Sequence, residues 1–131
     1  MAVSGVPAGE GHPTNTAEAL VHLAHDMQKV VAISNLAPGA RTISMRAGIN
    51  TGPVMEAVIG DRMPRWSVFG DTVNTASRMK SHCKAGEVQV TEATAMMLPA
   101  NISLSPARTV EVREVSRWCG ARCANSRGGR R

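Results

Sequence analysis

Asn74 and Arg78 stand four residues apart in the run Asp71-Thr72-Val73-Asn74-Thr75-Ala76-Ser77-Arg78-Met79. On a helix, that spacing leaves the two side chains about 40° apart on one face, so they project together. A guanidinium offers a planar fork of donors that suits a phosphate. An amide beside it can hold a ribose oxygen or a developing alkoxide. Asp71 or Thr72 can cap the first turn, where free N–H groups and the positive dipole end lie, while Val73 and Ala76 turn toward a sheet. The same spacing also describes an ordinary solvated helix face, so the pair alone names no function.

Other groups with chemical potential are weaker. Cys119 and Cys123 lack the second ligand pair that a zinc site needs, and His82-Cys83 would add ligands only if the C-terminal segment folded back. His22, His25 and Asp26 sit on a helix away from Leu20 and Ala24, as a solvated face does. Asp61 and Asp71 flank different elements. Glu56 places a carboxylate in an otherwise apolar stretch and needs a partner if it points inward.

The elements that must position these groups are short. Within 131 residues there is room for one domain, and only 25 are Leu, Ile, Val or Phe, so the core is expected to be marginal. Residues 2–6 read as the end of a strand, and 7–15 as a Gly/Pro-rich loop. Asn15 with Glu18 resembles a capping box for a helix running to about residue 35, with Leu20, Ala24, Met27 and Val31 on one face. Residues 41–49 alternate as a strand does, with Ile43, Met45, Ala47 and Ile49 on one side. Strands follow at 54–59 and 66–69, the second feeding the helix from Asp71. Lys84-Ala85-Gly86 breaks that helix. A strand at 87–90, a short helix capped by Thr91 and ended by Pro99, and a last strand at 109–115 complete an α+β order with antiparallel hairpins.

Charge is unevenly placed. Residues 1–115 hold as many basic as acidic side chains, and the net +5 resides in Arg117, Arg122, Arg127, Arg130 and Arg131. The chain thus divides into a body, 1–115, and a basic tail, 116–131, read as disordered. A basic tail on a neutral body gives no reason to expect a nucleic-acid partner. No signal peptide opens the chain, and no apolar run approaches the ~20 residues that span a bilayer. With three cysteines, an odd count, the reading is a reduced, cytoplasmic domain, whose full-length parent could be membrane-anchored.

Three stretches carry a family resemblance: residues 46–54 (RAGINTGPV), 63–71 (MPRWSVFGD) and 77–81 (SRMKS). In order and spacing they are similar to the second half of a class III nucleotide cyclase catalytic domain, the guanylate cyclase branch in particular, with weaker similarity from residue 3 to about residue 92. The resemblance implies a ferredoxin-like α+β domain that converts a nucleoside triphosphate to a 3′,5′-cyclic nucleotide and pyrophosphate, assisted by Mg²⁺ or Mn²⁺. It implies a head-to-tail pair of cyclase domains, one giving metal-binding aspartates and the other the helix pair. Carried over, Asn74 orients the ribose and Arg78 stabilises charge at the α-phosphate. Phe69, Gly70 and Asp71 belong to the substrate-binding stretch, and Ser67 touches the purine. Guanylate cyclases usually have Cys at that position, and many adenylate cyclases Asp or Thr. A hydroxyl donates and accepts, so Ser67 suits either base, and the flanking Phe69-Gly70-Asp71 favours GTP over ATP. Arg113 loosely matches a family lysine that contacts the terminal phosphates, and equally describes a surface arginine on an edge strand.

The resemblance also implies what this chain lacks. It begins at residues similar to a hairpin's returning strand, so the family's first strand, two helices and one hairpin strand are expected to be absent, and the metal-binding aspartates with them. The expectation is a cyclase half that works only with a partner, or an inactive fragment that pairs with intact domains.

Overall fold

A computed structural model describes residues 1–5, 13–39, 41–105, 108–110 and 116–123. Helix α1 spans Pro13–Ser34 and β1 spans Ala47–Ile49; β2, Met55–Ile59, and β3, Arg65–Phe69, follow. Then come α2, Asp71–His82, β4, Val88–Thr91, and α3, Glu92–Ala95. Strands β5, Ile102–Leu104, β6, Arg108–Val110, and β7, Ser116–Cys123, end the described order.

Two sheets result. The larger runs β1-β4-β7-β5, with β6 also on β7, and the smaller is the β2–β3 hairpin. Strand β1 lies parallel to β4, pairing Ala47 with Val88 and Ile49 with Val90, whereas β7 is antiparallel to β4, β5 and β6. The core forms where α1 lies on this sheet: Val21 and Ala24 pack with Ile49, Val88, Val90 and Ile102. Apolar burial there supplies the driving force.

The α+β expectation holds, but several elements differ. Helix α1 begins at Pro13, so Asn15 lies inside the first turn; proline's fixed φ fits a first helical position. Its buried stripe is Ala17, Val21 and Ala24, with Leu20 at its margin, while Met27 is exposed. The expected face was therefore rotated toward one flank. Of the strand expected at 41–49, only the last three residues join a ladder. Further back, the Asn35 amide stands in for a neighbouring strand: it donates to Ile43 O and accepts from Ile43 N, both at 2.8 Å. Residues 2–4 adopt no strand. Strand β5 was not anticipated, and of the strand expected at 109–115, β6 covers the start while 111–115 lie outside the described residues.

The expected boundary at 115/116 marks no end of strand structure, since β7 occupies the first part of the supposed tail. Charge and composition misled here because a ladder is made by backbone groups, and Ser116–Cys123 pairs on both of its edges. Residues 124–131, with Arg127, Arg130 and Arg131, lie outside the described residues.

Candidate active-site helix

Strand β3 runs directly into α2 through Gly70, whose φ of 131° is a left-handed conformation that glycine adopts without a Cβ penalty. Ser67, Phe69, Gly70, Asp71, Asn74 and Arg78 therefore share one continuous strand-turn-helix unit. The turn is closed by Val73 N and Asn74 N donating to Gly70 O, at 3.1 and 3.2 Å. Among the described residues, no side-chain hydrogen bond caps this helix start, so neither Asp71 nor Thr72 acts as the expected cap. Thr72 Oγ1 instead donates to Pro53 O at 2.6 Å, tying the helix to the turn after β1.

The position of α2 is set from below by Gly48. A Cβ there would stand 2.6 Å from Met79 Cβ and 2.7 Å from Ala76 O, so only glycine lets the helix backbone lie this close to β1. Met79 is fully buried at that contact. Asn74 and Arg78 lie on the opposite side and are exposed. Neither makes a side-chain hydrogen bond or ion pair within the described structure, so an amide and a guanidinium are presented together and unsatisfied by protein. Asp71, exposed, is on the same side.

A polar chain that sequence reasoning missed fixes the first turn of α2. Thr91 Oγ1 donates to Asn50 Oδ1 at 2.8 Å, and Asn50 Nδ2 donates to Thr72 O at 3.1 Å. Each hydroxyl has one proton, so Thr94 donates to Thr91 and Thr51 to Thr94, each across 3.0 Å. The hydroxyls thus point one way, from Thr51 to the carbonyl of the helix. Thr91 also accepts from Thr94 N, which is the cap expected for α3. The sequence signal was the threonine and asparagine content after each strand, but no spacing rule joins residues 50, 72, 91 and 94.

The hairpin is exposed. Ser67, half-buried, faces Ala57 across it. Glu56 points to solvent, and its carboxylate accepts from Trp66 Nε1 at 3.1 Å, a diagonal cross-strand pair. Val68 is buried, while Met55, Val58, Ile59, Trp66 and Phe69 are exposed. Arg113 lies outside the described residues.

For Mg²⁺ or Mn²⁺ the described residues are a poor fit. No three of His, Cys, Asp and Glu among them come together to hold a metal ion. Asp61 is exposed in the β2–β3 turn and Asp71 on α2. On α1, Asp26 pairs with Lys29 at 2.8 Å and His22 with Glu18 at 3.5 Å. Cys83 is buried at the end of α2, its thiol donating to Glu87 O at 3.1 Å, and both burial and the Glu87 carboxylate raise its pKa. No helix of the described residues is long and apolar enough to cross a membrane.

The adenylate and guanylate cyclase catalytic domain matches residues 1–122. The chain belongs to that family. It is 47% identical over 83 residues to human (Homo sapiens) guanylate cyclase soluble subunit beta-2, which covers 63% of this chain and 13% of that protein. The guanylate cyclase domain of RhGC from Catenaria anguillulae, solved in complex with GTP, superimposes with a TM-score of 0.77 at 31% identity, covering 92% of this chain and 65% of that one. The non-canonical dimeric guanylyl cyclase domain of the RhoGC fusion protein from Blastocladiella emersonii gives a TM-score of 0.73 at 32% identity, over 91% of this chain and 65% of that one. The cyclase resemblance read from residues 46–81 is thereby borne out, and this chain spans about two thirds of the solved cyclase domains it matches.

Proposed function

We propose that this chain is the part of a guanylate cyclase-like catalytic domain that holds the sugar and α-phosphate of GTP, and that it makes cGMP together with a second cyclase domain supplying the metal-binding aspartates. The observation that carries this reading is the exposed Asn74–Arg78 pair on α2, without a side-chain partner among the described residues, in a chain of this family. In the reaction the ribose 3′ hydroxyl loses its proton to solvent and its oxygen attacks the α-phosphorus in line. A new P–O bond forms, the bond to the β-phosphate oxygen breaks, and pyrophosphate leaves. Asn74 orients the ribose for that attack, and Arg78 neutralises charge growing on the α-phosphoryl oxygens. Ser67 reads the purine from β3, with GTP favoured over ATP, and Arg113 is assigned to the terminal phosphates. Support for a paired site comes from the solvent-facing position of the two side chains and from the exposed apolar hairpin beside them.

The test mixes this chain with an intact guanylate cyclase whose own Asn/Arg pair has been replaced. Restored cGMP synthesis, lost again with Arg78→Ala in this chain, is the expected result. Unchanged or reduced synthesis would favour the second reading, a non-catalytic pairing subunit, for which the lack of a metal-holding cluster among the described residues speaks. Parallel assays with ATP decide the base.

A further inference from the structure

Two supports hold α2 against the rest of the molecule, and they grip different halves of it. At Gly48 the helix meets β1 through Ala76, Met79 and Lys80, all toward its C-terminal end. In the first turn, Thr72 is held twice by the turn that follows β1. Its hydroxyl donates to Pro53 O at 2.6 Å, and its carbonyl accepts from Asn50 Nδ2 at 3.1 Å. Asn74 stands between the two supports, whereas Arg78 lies within the span of the Gly48 contact. Along the axis the two residues are about 6 Å apart. A helix released at Thr72 and pivoting on the Gly48 contact therefore shifts the backbone at Asn74 more than at Arg78.

The bond from Asn50 depends on which way its amide is turned, and that is decided on other elements. Thr91, buried at the end of β4, gives its proton to Asn50 Oδ1 at 2.8 Å. Its lone pairs accept from Thr94 N at 3.3 Å and from the Thr94 hydroxyl at 3.0 Å. With Oδ1 committed to Thr91, the amide NH₂ is left for Thr72 O. Turning the amide by 180° would set its oxygen against the Thr72 carbonyl oxygen, where neither atom donates. Thr94 is fully buried and Thr91 is buried, so water does not stand in for a lost hydroxyl here.

We propose that Thr91, acting through Asn50, is a positioning residue for the cyclase reaction. It fixes the first turn of α2 so that the Asn74 amide meets the ribose with the 3′ oxygen aligned for attack. Thr91 does not itself touch the nucleotide. The assignment rests on the proposed role of Asn74, and adds to it a determinant at the β4–α3 junction. A reacting group misplaced by about 1 Å can cost ~10²-fold in rate, so a small swing of this turn is enough.

The test uses the complementation mixture described above, with radiolabelled GTP varied to separate kcat from KM. Circular dichroism checks that each variant is folded at the assay temperature. Thr91→Val removes the hydroxyl at nearly constant volume and should lower kcat ~10–100-fold, with KM within ~3-fold. Thr91→Ser keeps the donor and should restore most of that loss. Asn50→Asp keeps the acceptor for Thr91, and with it the α3 cap, yet offers no donor to Thr72 O; it should match Thr91→Val. In an Asn74→Ala background, Thr91→Val should cost less than ~3-fold more, since the group it positions is gone. Hydrogen exchange at the Val73 and Asn74 amides should quicken at least ~3-fold in Thr91→Val, with the Met79 amide unchanged. An unchanged kcat in Thr91→Val, or the same fold loss with and without Asn74, overturns the assignment and leaves the proposed function standing. A merely structural threonine would give that second result, because it thins the active population equally in both backgrounds. Asn74→Ala without effect on synthesis overturns the proposed function and this assignment with it.

Discussion

The two side chains on which the proposed chemistry rests make no bond among the described residues, and that makes their replacement informative. Asn74 and Arg78 are exposed and unbonded among the described residues, so Asn74→Ala and Arg78→Ala should shift folding stability by no more than about 0.5 kcal/mol. In the complemented enzyme each should lower cGMP formation by ~10²–10³, as expected for a lost charge-stabilising donor. Thermal unfolding and turnover, measured together, check this. Cys83 is the opposite case, being buried with its thiol bonded to Glu87 O. Its pKa is raised above its ordinary 9.0 by burial first and the Glu87 charge second. The unfolded chain therefore sheds this proton before the folded one does. The thiol's stabilising contribution is whole below that ordinary value and falls as pH rises toward the folded one. Melting temperature should thus drop more steeply above pH 9 in the native protein than in Cys83→Ser.

Strand β1 and helix α2 are held together by two devices of different legibility. Gly48 stood in a stretch already marked as strand, yet its close approach to Ala76 and Met79 could not be read without the register of α2. Gly48→Ala should cost about 1–3 kcal/mol as an overpacked contact and displace α2, so cGMP formation falls more than stability explains; denaturant titration beside turnover checks it. The hydroxyl chain was not legible at all, because residues 50, 72, 91 and 94 meet only after β1 and β4 pair. Asn50→Ala leaves Thr72 O and the Thr91 hydroxyl without their partner, and should destabilise by about 1–3 kcal/mol in urea unfolding. What the sequence did reveal was local: the β2–β3 hairpin, the start of α2 at Asp71 and the Thr91 cap. The strand β7 escaped because its pairing with β4 and β5 is non-local and its arginines imitate a solvated tail.

Taken whole, the molecule has a core of modest size and leaves apolar side chains exposed on two elements. Helix α1 exposes Leu23, Met27 and Val30, and the hairpin exposes Met55, Val58, Ile59 and Trp66 beside the candidate active-site helix. Of the two tryptophans, Trp66 is the one on this hairpin; it is 52% exposed and its indole donates to Glu56. In a Trp118→Phe background, its fluorescence is an intrinsic gauge of subunit pairing. Emission should move to shorter wavelength, and acrylamide quenching should diminish, when a second cyclase domain closes over the hairpin. Glu56→Gln keeps an acceptor for the indole and should preserve that response. The chain thus carries its own optical reporter at the seam where catalysis would be assembled.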